Sequence, residues 1–159
     1  MLGGIHFLTG AALGSSLSHN SFGSFLIGVA SHHFLDILPH IDTNIFGEKG
    51  RTIKKWSSEI WLLVVGEFFL LTILMVLLLM NKKYVWQQAF WGGIGGILPD
   101  IITIVFQDLL PTRNKLLKSY IHFQCNIFQF KREIKKFIFP SLFIYFIILI
   151  FDLAILTGL

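Results

Sequence analysis

Between Ser31 and Asp42 the chain reads Ser31-His32-His33-Phe34-Leu35-Asp36-Ile37-Leu38-Pro39-His40-Ile41-Asp42, with three histidines and two aspartates in an otherwise apolar stretch. Imidazole nitrogen and carboxylate oxygen are the usual protein ligands of zinc, and i, i+4 spacing lets two side chains of one helix reach one ion. His32 with Asp36, and Asp36 with His40, have that spacing. At about 100° per residue, His32, Asp36, His40 and His33 fall at roughly 0°, 40°, 80° and 100° on a helical wheel, so all four share one face. A lone histidine in a helix is more often a hydrogen-bonded packing residue. Five ionisable groups in so short a segment point instead to a metal site, with a proton relay or a structural hydrogen-bond network as the competing readings.

Other segments add to this set. Ile97-Leu98-Pro99-Asp100-Ile101-Ile102-Thr103 echoes Ile37-Leu38-Pro39-His40-Ile41-Asp42-Thr43, and a similar shift brings His6-Phe7 onto Glu67-Phe68. The pattern suggests an internal duplication of a helix pair, with Asp100 the counterpart of His40 and Glu67 that of His6. The expected ligand set is therefore His6, His32, Asp36, His40 and Asp100, with His33 as a substitute. Asp42 or Glu67 would act as the base. So many groups exceed one tetrahedral zinc, so some would support ligands rather than bind, or two ions would be held. His19 and His122 fall in loops and read as solvated, Asp152 as a residue of the membrane interface, and the lone Cys125 as a structural thiol.

The elements that must hold these groups are membrane helices. With 54% hydrophobic residues and a mean hydropathy of +0.71, the chain has more apolar surface than one soluble core of this size buries. The expected fold is all-α, a single-domain polytopic bundle with spans at roughly 2–18, 22–41, 57–80, 84–107 and 137–158. The first, second and fourth are rich in Gly, Ala and Ser and should form the inside of the bundle. Pro39 and Pro99 should kink or end their spans. Five spans place the N-terminus, loop 42–56 and the basic loop 108–136 on one side. That side carries all the Lys and Arg except Lys82 and Lys83, which predicts a cytoplasmic N-terminus in a cell membrane, bacterial inner membrane being the natural case. Within the basic loop an amphipathic run from Leu116 to Phe130 is suited to lie on an anionic leaflet, with solvated loop charge as the competing reading.

His6 with Gly10, and Leu38-Pro39-His40-Ile41-Asp42 at a helix end, resemble the pattern of the YdjM-like membrane-bound metal-dependent hydrolases, an early His followed by Gly and then Leu-Pro-Asp-x-Asp. Here His40 replaces the first Asp of that element. Leu98-Pro99-Asp100 is a partial second copy with Ile102 in place of the next acid, and the family's His-Arg and Thr-His-Ser elements are not found. The resemblance covers the first 42 residues and this short later segment, and it implies a bound metal. The expected chemistry is metal-dependent hydrolysis at the cytoplasmic membrane boundary, with a membrane lipid or lipid-linked phosphoester as the substrate that the bilayer itself would deliver. A divalent-cation or proton transporter and a noncatalytic scaffold are the alternatives. No nucleotide loop, dinucleotide fingerprint or nucleic-acid patch is present in the sequence.

Overall fold

The computed structural model describes residues 3–38, 56–80, 85–110, 113–124 and 138–158, and among these there is helix and no strand. The helices are α1 (Gly3–Leu17), α2 (Ser21–Ile37), α3 (Ser58–Leu79), α4 (Trp86–Thr103), α5 (Lys115–Phe123) and α6 (Ile138–Thr157). A π-helical segment, Ile104–Leu109, continues α4. Among the described residues three helical stretches are long and apolar enough to cross a membrane: Ser58–Leu77, Trp86–Phe106 and Pro140–Thr157. The expectation of five spans meets a physical difference at α1 and α2, which run 15 and 17 residues. At 1.5 Å per residue they reach about 22 and 25 Å, short of the roughly 30 Å hydrocarbon core.

α1 is the centre of the molecule, packed against α2 and α4 on one side and α3 and α6 on the other. Its sequence is apolar or small on every face, and an unbroken run from Gly4 to Ala12 is buried. A helix with no polar face belongs inside a bundle. By contrast, α3 turns Leu62, Phe69, Leu70, Ile73, Val76 and Leu77 outward, and α6 exposes Phe143, Phe146, Ile150 and Phe151. These are surfaces that lipid would cover. The inward stripe of α6 is Ser141, Tyr145, Asp152 and Leu156, spaced at helical repeats.

The inner crossing is made by glycine. The Gly92 backbone of α4 lies between Gly10 of α1 and Gly28 of α2, so a Cβ at either of those positions would run into the Gly92 carbonyl oxygen. Gly95 meets the backbone of Phe25 and Val29, and Gly96 meets that of His6. These contacts fix direction: α4 runs antiparallel to α1 and parallel to α2. Without a hydrophobic drive between helices in lipid, such backbone proximity maximises dispersion contact.

The ends of the helices follow from local chemistry. Asn20 caps α2, its side chain accepting from Gly23 N at 2.7 Å. α2 stops at Leu38, whose extended φ −75°, ψ 147° is the geometry that a following proline imposes. Pro99 lies inside α4, where it removes one backbone donor, and the Thr103 hydroxyl donates to the Pro99 carbonyl at 3.0 Å. One turn later the helix widens into its π segment.

α1 starts deep. Gly4 and Ile5 N–H donate to the Glu67 carboxylate at 2.9 and 3.1 Å, and the Tyr145 hydroxyl donates to it at 2.7 Å. Glu67 comes nine residues after the start of α3, about 13 Å of helix rise. The first turn of α1 is thus recessed among its neighbours, where a carboxylate takes the place of water as acceptor.

Gly28→Ala should lower stability by about 1–3 kcal/mol through a backbone clash, whereas Gly66→Ala, with open space around its Cβ, should leave it unchanged or slightly raised. Thermal unfolding in detergent checks this, and equal melting of the two variants would refute the close-crossing account.

Candidate metal centre

The glycine crossing brings α1, α2 and α4 together at the level of His6, His32 and Gly96. His6 and His32 are fully buried, and Asp36 is 2% exposed. One ligand atom from each of His6, His32 and Asp36 can be chosen so that all lie within 4.8 Å of one another. The Asp36 carboxylate bridges the two rings, with Oδ1 3.3 Å from His6 Nε2 and Oδ2 3.1 Å from His32 Nε2. Asp100 Oδ1 stands 3.7 Å from His32 Nε2. Donor atoms held by one tetrahedral zinc at about 2.0–2.1 Å are separated by about 3.3 Å. The two shorter contacts have that size.

His32 is oriented from behind. Its Nδ1 lies 2.8 Å from the Gly96 carbonyl, and because a carbonyl only accepts, Nδ1 carries the proton. The lone pair of Nε2 then points toward Asp36 and Asp100. A backbone carbonyl on the far nitrogen is the usual device that fixes the tautomer of a metal-ligating histidine. A carboxylate oxygen 3.1 Å from an imidazole lone pair requires positive charge between them, which a second proton or a metal ion supplies.

His6 points the same way. Its ring lies 4.2 Å from that of His32, centroid to centroid, and neither of its nitrogens has a hydrogen bond among the described residues, though Nε2 faces Asp36. Buried imidazole nitrogens in native proteins are nearly always partnered. The donor set therefore fits a divalent ion by residue type, separation and the unsatisfied His6 ring.

Gln124, just past α5, closes one side. It is fully buried, its Nε2 lies 3.1 Å from His32 Nε2, and its Oε1 lies 2.9 Å from the Thr103 hydroxyl, whose one proton it shares with the Pro99 carbonyl. Tyr120 of α5 meets the edge of the His33 ring at 6.3 Å. Burial first, and then the charges of Asp100 and Asp36, push the Tyr120 phenol above its ordinary range. Asp100 stands near enough to Tyr120 for its charge to act there, and its side chain is 32% exposed.

Of the residues that the sequence singles out, the structure brings His6, His32, Asp36 and Asp100 together. His33 stands beside them, half-buried, its ring edge-on to His32 at 5.3 Å. His40 and Asp42 lie outside the described residues. Glu67 holds the first turn of α1 and Tyr145 through its carboxylate, an arrangement for anchoring a helix. Asp152 corrects its reading as a membrane-interface residue: it is fully buried and its Oδ2 accepts from the Thr9 hydroxyl at 2.6 Å. Sequence reasoning passed over Gln124, Tyr145 and Thr9. For Tyr145 a signal existed, because it and Asp152 are seven residues apart on one face of α6. Gln124 carried none.

Comparison of the chain with protein-family models, with curated proteins and with solved structures gives no match.

Replacing Glu67 by Ala should cost about 1–3 kcal/mol for each buried N–H left without an acceptor. Tyr145→Phe, which removes one donor and leaves both N–H bonds, should cost less. Unfolding midpoints in one detergent measure the order, and a Tyr145→Phe loss equal to that of Glu67→Ala would exclude the anchoring role.

Proposed function

We propose that this chain is a membrane-embedded metal-dependent hydrolase whose ion is held by His6, His32 and Asp36 and whose site opens past Asp100. The observation that carries this reading is the convergence of three buried ligand atoms within 4.8 Å, with the far nitrogen of one histidine already committed to a carbonyl. The resemblance at His6, Gly10 and the Leu-Pro elements to YdjM-like hydrolases supports the same chemistry. Zinc suits the donor set best, since imidazole and carboxylate serve it well without demanding an octahedral cage.

When bound, the ion would supply a Lewis acid and a water made acidic enough to ionise near neutral pH, at about 7. The chain's own residues supply the rest. Asp100 stands at the open edge, close enough to the cluster to accept a proton from an attacking water. Gln124, fully buried against His32, keeps bulk water from that part of the cluster.

Asp100 precedes the end of the Trp86–Phe106 stretch by six residues, about 9 Å of rise. A site at that depth is reached from the polar boundary of a bilayer, which favours a lipid or lipid-linked phosphoester as substrate. The charge pattern of the sequence favours five crossings, with α1 and α2 completing the bundle, and a cytoplasmic N-terminus.

One observation favours a second reading, a structural hydrogen-bond cluster without metal. Both nitrogens of His32 have hydrogen-bond partners, Gly96 and Gln124. Metal content separates the two. Detergent-purified protein should retain near-stoichiometric zinc or cobalt after mild chelation, and His6→Ala and His32→Ala should lose it. Asp100→Asn should keep the metal while hydrolysis of lipid phosphoesters falls by about 10²–10⁴-fold, the usual scale for a missing general base. A folded wild type that binds no metal would sink the hydrolase and leave the structural cluster.

A further inference from the structure

α5 is an amphipathic helix whose apolar face is only half used. At about 100° per residue, Lys115, Lys118, Ser119 and His122 fall on one side and Leu116, Leu117, Tyr120, Ile121 and Phe123 on the other. Leu117, Tyr120 and Ile121 are half-buried against the protein. Leu116 and Phe123, seven residues apart on one edge of that face, are 82% and 42% exposed. Arg113, Lys115 and Lys118 are all exposed, Lys115 about a quarter turn from that edge and Lys118 on the far side of the polar face, and the segment 109–124 contains no acidic residue.

The level of α5 is fixed by its end. Gln124 bonds to Thr103, three residues before the membrane-capable stretch ends at Phe106, about 4.5 Å of rise. The C-terminus of α5 thus lies at the height where hydrocarbon gives way to headgroups. Exposed apolar residues at that height, flanked by cations, match the chemistry of an anionic bilayer surface.

We propose that α5 is an interfacial helix seated on anionic phospholipid, with Leu116 and Phe123 among the acyl chains and Arg113, Lys115 and Lys118 on phosphates, and that this seating holds Gln124 over His32. Only the consequence for His32 rests on the metal reading. Anionic lipid thereby governs how readily the His32 lone pair is reached.

The test places a bimane label at Phe123→Cys in a Cys125→Ser background, with Leu116→Cys as a second site should the first fail to fold. The protein is reconstituted in phosphatidylcholine with and without phosphatidylglycerol. Brominated lipid should quench the label, more strongly with phosphatidylglycerol, and the seated-to-unseated ratio should fall about fivefold for each lysine neutralised in Lys115→Gln and Lys118→Gln. Raising salt from about 0.1 M to about 1 M should weaken the dependence on phosphatidylglycerol. A label quenched by aqueous iodide and indifferent to lipid charge overturns the proposal. Cobalt titration supplies the second arm: phosphatidylglycerol should weaken apparent affinity by about two- to tenfold in the wild type, the scale of one hydrogen bond, and leave Gln124→Ala unaffected. An equal lipid effect in both proteins overturns the Gln124 link. Absence of cobalt binding in every medium overturns the metal reading alone, because the quenching result is read without metal.

Discussion

The structure depends on three helix backbones touching. At Gly10, Gly28 and Gly92 nothing but hydrogen separates α1, α2 and α4, and any larger side chain would drive them apart. The site is a by-product of that proximity. Gly96, in the same seam, offers its carbonyl to His32 because α2 lies close enough for a ring nitrogen to reach it. His6 meets Asp36 for the same reason, since its own carbonyl packs on Gly96. Polar chemistry within a lipid-facing bundle needs such a frame, because separated helices would leave buried imidazoles and carboxylates unsatisfied at several kcal/mol each.

A second layer stabilises the first. α3 and α6 expose apolar surface outward and turn a few polar groups inward, and those groups go to α1. Glu67, itself held by the Tyr145 hydroxyl, takes its first turn, and Asp152 takes Thr9 one helical turn beyond His6. The central helix is thus gripped by glycine contacts on one side and by hydrogen bonds on the other. Each grip uses a different currency of interaction, dispersion at the seam and electrostatics opposite it, so rotation of α1 about its axis would disrupt both.

Much of this was legible in the residues. The helical segments and their approximate limits followed from apolar runs, Pro39 marked the end of α2, and the small residues of the first, second and fourth segments marked the inside. His32 and Asp36 were legible because i, i+4 pairing is a property of one helix. Depth was not legible, since hydropathy measures a segment's own composition, whereas the recession of α1 depends on a carboxylate 63 positions away. Nor was the role of Gln124, a polar residue in a basic connection whose partner is 92 positions distant. Asp152 was misread for a related reason: a lone acid in an apolar run says nothing of whether a hydroxyl waits on another helix.

The Thr9–Asp152 bond joins residues 143 positions apart, and this bears on biogenesis. Synthesis proceeds from the N-terminus, so α1 emerges first, yet it is short, carries His6 and Thr9, and lacks the acceptors that complete it. Those acceptors arrive with α3 and, last of all, α6. α1 is therefore made before the groups that fix it, and its bond to α6 can close only after α6 has been made. His6, His32, Asp36 and Asp100 belong to α1, α2 and α4, so the buried cluster can gather at the glycine crossing before α6 closes on Thr9 from the other side.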